Sequence, residues 1–338
     1  MTAPTALPSP HPVTDLMWAQ WKTRVLAAAL ELDVFTALSA GPLEETALRA
    51  RTGVHPRTAR DFFDALVALG LLRREEGCAY ANSPEAAAYL STDTPATYLG
   101  ASISAQCGQL AADLTEVLRT GRPSLDVRDG TDFYATTYAT AESTRAFQRD
   151  MTVLSLGSAL AMAEAFPWER YRTLTDVGCA EGTLPAHLLR RHGHLHATGF
   201  DLPAAEAGFR ENTARLGVAD RVSFVGGDFF RDPLPGADVL VLGHILHNWD
   251  EPGKLHLLRA AHDALPEGGA VIVYETLIDD ARSRNAVGLI LSLIMHMEVP
   301  GGYDYTGADC RAWMAATGFR DTRTTHLAGP ESMVVGFK

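Results

Sequence analysis

Between residues 15 and 38 apolar side chains recur at helical spacing, through Leu16, Trp18, Trp21, Val25, Leu26, Ala29, Leu30, Leu32, Val34, Phe35 and Leu38. They are too many for one thin domain to hide, so the helix serves a core or faces a partner. A short helix is expected over 43–52, a turn at Val54-His55-Pro56 and a second helix over 56–72. A hairpin over 73–82 follows, with Gly77 at its tip. Helix, turn, helix and wing is the winged-helix arrangement. Another amphipathic stretch spans 97–120. The loop after it contains Gly121, Pro123 and Gly130, and then a helix is expected over 141–166 with Phe147, Met151, Leu154, Ala161 and Ala165 on its apolar face.

From Tyr171 the period changes to alternating strand and helix. A strand at 173–177, a glycine turn at 178–182, a helix at 184–192 and a strand at 197–200 form one βαβ unit, closed by Asp201. Further strands are expected at 222–225, 237–242, 270–274, 320–327 and 332–337. Helices are expected at 204–216, 250–265, 286–299 and 309–317. Asp201, Asp228 and Glu275 fall at the carboxyl ends of successive strands, the edge where ligands bind in an open α/β sheet. Glycines in the turn let a backbone approach a ligand, and an acid about 20 residues on suits two ribose hydroxyls.

Composition narrows the classes. The chain has 338 residues, 46% hydrophobic and 21% charged, which allows two or three domains with a large core. A net charge of −12 argues against a nucleic-acid partner. The second helix of the winged-helix stretch also carries Asp61 and Asp64 between Arg57, Arg60 and Arg73, so a scaffold or dimerisation role is favoured over groove reading. Four cysteines without paired spacing suit a reducing cytoplasm. No apolar run reaches membrane-spanning length. Residues 1–14, rich in Pro, Ser and Thr, read as a disordered lead-in without the features of a secretory leader. Arg128 lies between Asp126 and Asp129; it is either one partner of a surface ion pair or a bidentate clamp for a carboxylate.

The ordered set DVGCAEG, FDLP, GDFF, LHNWDE, GGAVIVYE and GGYDYTG resembles the class I S-adenosylmethionine-dependent methyltransferases, and within them the small-molecule O-methyltransferases of plants and bacteria. The resemblance covers nearly the whole chain. It implies an α/β fold: a Rossmann-like domain at 169–338, an α-rich winged-helix dimerisation domain at 15–95 and a helical linker with pocket residues at 96–168. It implies a homodimer acting on a small molecule. By position, Gly178, Gly182, Leu202 and Gly243 would line the cofactor, Asp201 would hold its ribose, and Asp228 with Phe229 its adenine. His247 would be the general base, oriented by Glu275 and Asp304. Met151 and Met297, with Leu154 and Met295, suit an apolar substrate pocket.

The chain also departs from the family pattern. Asn248 stands where Asp is usual, His244 where Arg, Lys or an aromatic is usual, and His296 where an apolar residue is usual; Asp304 replaces a longer Glu. Cys179 and Ala180 replace glycines. His244, His247 and His296 could converge as metal ligands. That set resembles a branch of metal-dependent C-methyltransferases acting on α-keto acids, in which Arg128 would grip the carboxylate. The favoured expectation is therefore methylation of the β-carbon of an α-keto acid, assisted by iron or zinc. The alternative is a metal-independent O-methyltransferase for a phenol or carboxylate with His247 as base. A cofactor-binding winged-helix regulator is the reading from another class.

Overall fold

The structure, a computed structural model, describes residues 11–75, 79–94, 97–100, 103, 117–118 and 133–338. The chain divides into two compact units, residues 1–111 and 112–338.

In the first unit the long amphipathic stretch forms two helices, His11–Glu31 and Val34–Ala37. The break is at Asp33, whose φ of 53° lies in the left-handed region that Asp tolerates better than most residues. The bend turns Val34 and Phe35 into the core, where both are buried. The first helix starts at His11, inside the expected lead-in; residues 1–10 lie outside the described residues. Helices Glu45–Thr52 and Pro56–Ala68 follow, the second opened by Pro56 at a position where its missing N–H costs nothing. It ends before residue 72 because Gly70, at φ 77°, turns the chain into a strand. Strands β1 (Leu72–Arg74) and β2 (Tyr80–Asn82) pair antiparallel; Gly77 lies outside the described residues. Asp64 accepts from the Tyr80 hydroxyl at 2.7 Å and pairs with Arg74, so an acid of the second helix is spent on the wing. Leu48, Phe63, Leu66 and Tyr80 fill the core beneath.

The second unit is built on seven strands: β3 (Thr173–Val177), β4 (His196–Asp201), β5 (Val222–Gly226), β6 (Val239–Gly243), β7 (Ala270–Glu275), β8 (Arg320–His326) and β9 (Ser332–Phe337). Their order in the sheet is β5-β4-β3-β6-β7-β9-β8. The first five run parallel, and β9 enters antiparallel between β7 and β8. β6 and β7 are continuous apolar runs because apolar layers cover both faces. Helices Ala141–Ala165 and Thr183–Arg191 lie in one layer, and Glu251–Ala264 and Gly307–Ala316 in the other. Strand order reverses between β3 and β6, which opens a crevice at their carboxyl ends. No described helix is long and apolar enough to cross a membrane.

The face of the Ala141–Ala165 helix differs from the expected one. Thr144, Gln148, Thr152, Ser158 and Met162 are buried, whereas Leu154 is 50% exposed. The buried polar groups have distant partners: Thr152 donates to Glu181 and meets Thr183, Gln148 donates to the Ala205 carbonyl, and Ser158 donates to Glu331.

Candidate active site

The turn after β3 is shaped by positive-φ backbone. Gly178 and Gly182 adopt φ of 75° and 74°. A Cβ on Gly178 would lie 2.2 Å from Ile245 Cδ1, and one on Gly182 2.6 Å from Phe209 Cε2. Across the turn Asp201, at the tip of β4, accepts from the Ala180 N–H at 2.8 Å and the Leu202 N–H at 2.7 Å. The Tyr138 hydroxyl lies 3.5 Å from the same carboxylate. Burial pushes the Asp201 pKa up to about 6, against the pull of these donors. Oδ1 receives the Leu202 N–H and the Tyr138 hydroxyl while Oδ2 receives only the Ala180 N–H, so Oδ2 keeps a lone pair and can still accept from a hydroxyl. Past β5, Asp228 accepts from the Phe230 N–H at 3.0 Å, and Phe229 is half-buried with its ring edge-on to Trp249. Gly243 closes β6 beneath the Tyr274 ring; a Cβ there would lie 2.1 Å from Tyr274 Cε1.

Beyond β6 the chain makes a tight turn, Leu246–Asn248, that buries His247. Its Nδ1 lies 3.1 Å from Asp304 Oδ1, and its backbone N–H donates to Glu275 Oε1 at 3.2 Å. Glu275 is fully buried at the tip of β7, and Asp304 is 2% exposed. Asp304 is fixed in turn: its N–H donates to Ser292 Oγ at 3.1 Å, and the Tyr303 N–H donates to the His247 carbonyl at 2.8 Å. Burial disfavours a charged imidazole here, but Glu275 and Asp304 outweigh it and the His247 pKa lies above the ordinary histidine value. Burial also raises the Glu275 pKa, partly countered by His247. With Nδ1–H held by Asp304, Nε2 is left to accept a proton, the arrangement of an oriented general base.

His244, between β6 and this turn, has φ 53°, an uncommon conformation for a non-glycine residue. Its N–H donates to the Tyr274 carbonyl at 3.1 Å, and its own carbonyl accepts from Asn248 Nδ2 at 2.9 Å. The amide of Asn248 thus serves a bond that an Asp carboxylate could not make. His244 Nε2 lies 3.1 Å from Glu331 Oε1. Burial alone would raise the Glu331 pKa, yet His244 and Ser158 hold it below the usual carboxylate range.

Comparisons with known proteins identify the family. The description "O-methyltransferase domain" matches residues 112–320, and "O-methyltransferase dimerisation domain" matches residues 14–92. The chain is similar to the tetracenomycin polyketide synthesis 8-O-methyl transferase TcmO of Streptomyces glaucescens, with 43% identity over 100% of this chain and 99% of that one. The chain belongs to the O-methyltransferase family. It is an S-adenosylmethionine-dependent methyltransferase with a Rossmann-like catalytic fold and an N-terminal dimerisation domain. It is also 33% identical to the 3-hydroxy-5-methyl-1-naphthoate 3-O-methyltransferase of Streptomyces sahachiroi, over 97% of this chain and 95% of that one. The solved structure of the mitomycin 7-O-methyltransferase MmcR is similar to this chain, with a TM-score of 0.79 at 29% identity, covering 97% of each chain.

Two expectations about this methyltransferase change. The relatives speak for O-methyl transfer and lend no support to metal-assisted methylation of an α-keto acid. The three histidines are also not gathered into one ligand set. Among the described residues, no group of three or more His, Cys, Asp or Glu ligand atoms within 4.8 Å of one another includes His244 or His296. His244 turns to Glu331, and His296 is exposed, its ring stacked at 6.4 Å on Tyr303. The group that does meet this limit is His247, Glu275 and Asp304, the base and its two acids. Arg128 lies outside the described residues. Met297 and Met295 are buried and Met151 is half-buried. Glu331, Ser158, Tyr305 and Lys254 are buried around the site and escape a reading of the sequence. Ser158 and Glu331 are partners 173 residues apart, Tyr305 faces Glu275, and Lys254 reaches Tyr303 across the site.

Proposed function

We propose that this methyltransferase methylates a phenolic hydroxyl of a polycyclic aromatic natural product of secondary metabolism, with His247 as general base. The observation that carries the reading is the buried His247 with Asp304 on Nδ1 and Glu275 on its backbone N–H. Similarity to the tetracenomycin enzyme over the full length of both chains supports the substrate class. His247 Nε2 takes the phenolic proton, and Asp304 stabilises the imidazolium that results. The substrate oxygen is thereby made a nucleophile. When bound, S-adenosylmethionine supplies a sulfonium methyl group for that oxygen to attack in line. Gly178, Gly182, Leu202 and Gly243 would lie along it, Asp201 would accept from the ribose hydroxyls, and Asp228 with Phe229 would receive the adenine. Met151 and Met297 would form part of the apolar wall for the aromatic rings. The enzyme would work as a homodimer through its N-terminal domain.

The test is a product assay. The purified protein is incubated with S-adenosylmethionine and polyphenolic aromatic polyketides, α-keto acids, and aromatic amines, with and without chelator. Products are read by mass and by the position of the new methyl resonance. A methyl ether formed equally in chelator is expected. A methylated keto acid that vanishes with chelator would overturn the reading, and an N-methylated amine would move it to another acceptor.

A further inference from the structure

Lys254 is fully buried in the first turn of the Glu251–Ala264 helix. Its ammonium donates to the Trp249 carbonyl. It lies 3.4 Å from the centroid of the Tyr303 ring, 5.5 Å from that of Tyr305 and 5.6 Å from that of Trp313. Ring faces attract a cation, but one carbonyl and three rings replace little of the hydration that an ammonium loses. A methionine would fill this place at lower cost. What lysine adds is a charge, and its surroundings are those of the base. Trp249 follows the turn that carries His247, and Tyr303 and Tyr305 flank Asp304.

We infer that Lys254 is a positioning residue for His247: it joins the end of the His247 turn to the Asp304 loop, and its charge offsets Glu275 and Asp304 so that the imidazole stays free to accept a proton. The inference rests on His247 being the base. Two buried carboxylates against one imidazole favour its protonated form, which cannot act as a base, and a nearby cation works against that form. His247 has an acid beside it on each of several elements: Glu275 on β7, Asp304 on the loop after the Ala286–Glu298 helix, Glu298 on that helix and Glu331 just before β9. The His244 ring lies 5.8 Å away and faces Glu331. Among the described residues, Lys254 acts on His247 in the opposite sense to Glu275 and Asp304. The lysine in turn feels Glu275 and Asp304 across the site, and Asp250 and Glu251 from its own helix start. Burial lowers its pKa to about 8 against the pull of these acids, so it is charged at neutral pH.

The experiment is the pH profile of kcat/KM for methyl transfer by the full-length protein and its Lys254→Met, Lys254→Gln and Lys254→Arg variants. Gln keeps a donor for the Trp249 carbonyl and drops the charge; Arg keeps the charge. The acid limb should move upward by about one pH unit in the Met and Gln variants, a roughly tenfold loss below the limb that is recovered on the plateau. In the Arg variant the limb should stay near that of the wild type, and KM for S-adenosylmethionine should change little in all three. A limb that does not move in whichever neutral variant folds would overturn the inference, because a packing role lowers the profile without shifting it. His247→Gln separates the two readings. If it retains wild-type turnover, the base assignment fails and this inference with it. If it is inactive while the limb of the Lys254 variants is unmoved, only the lysine's role falls.

Discussion

His247 takes its chemistry from two carboxylates and from burial, which act in opposite senses. Glu275 and Asp304 favour the imidazolium and burial opposes it, with a net upward shift. His247→Gln should therefore lower kcat by about 10²- to 10⁴-fold, the usual contribution of general base catalysis. Binding of S-adenosylhomocysteine, followed by calorimetry, should be unchanged, since the Asp201 pocket is built by other strands. Asp304→Asn should lower kcat less than loss of the imidazole does. It should also move the acid limb of kcat/KM to lower pH, the opposite of the shift expected from removing Lys254. A second buried acid gives a stability prediction. Burial, and then the charge of Asp201, push the Asp176 pKa up to about 8. The unfolded chain ionises at about 3.9, so between these values the folded state holds the extra proton and stability falls as pH rises. In Asp176→Asn that loss is removed. Scanning calorimetry without ligand should find the variant no more stable than the wild type near pH 4, and melting several degrees higher at about pH 8.

The turn between β3 and the Thr183–Arg191 helix depends on conformation more than on side chains. Gly178→Ala would put a methyl group at φ 75° and 2.2 Å from Ile245 Cδ1. The left-handed conformation alone costs roughly 1–2 kcal/mol, and the displaced Ile245 lies two residues before His247. Weaker S-adenosylhomocysteine binding and a lower Tm are expected together; a variant that lost neither would remove the turn from the cofactor site. Elements of this kind were open to sequence reading. The glycine turn, the buried strand runs and the acids at the strand tips are local patterns, and the observed strands lie where periodicity places them. Orientation was less legible. The Ala141–Ala165 helix buries Thr152 and Ser158 because Thr183 and Glu331 receive them, and no pattern within the helix reports partners 31 and 173 residues away. The three histidines misled for the same reason. Spacing placed His244 and His247 on one turn, but the ring of His244 is claimed by Glu331, beyond any local signal.

At the scale of the whole molecule, the His11–Glu31 helix poses a problem that one chain does not solve. Its later residues pack into the core of the first unit, where Ala27 and Ala29 are buried. Towards its start Leu16, Trp18 and Trp21 are 75%, 55% and 62% exposed. At about 100° per residue, Trp18 and Trp21 share one side of the helix while Leu16 points away from them, so no single neighbouring surface covers all three. A helix apolar on opposite sides is stable when it is surrounded, and the segment belongs to the region matching the dimerisation domain of the family. Covering the exposed part of each tryptophan is worth about 3 kcal/mol at ordinary transfer values. Four tryptophans across a two-fold interface would then supply a large share of what a stable dimer needs. Light scattering coupled to size exclusion should find the wild-type protein as a dimer. Trp18→Glu combined with Trp21→Glu should shift it to monomer, with the far-ultraviolet dichroism of both units retained. A double variant that stays dimeric would place the contact on another surface of the chain.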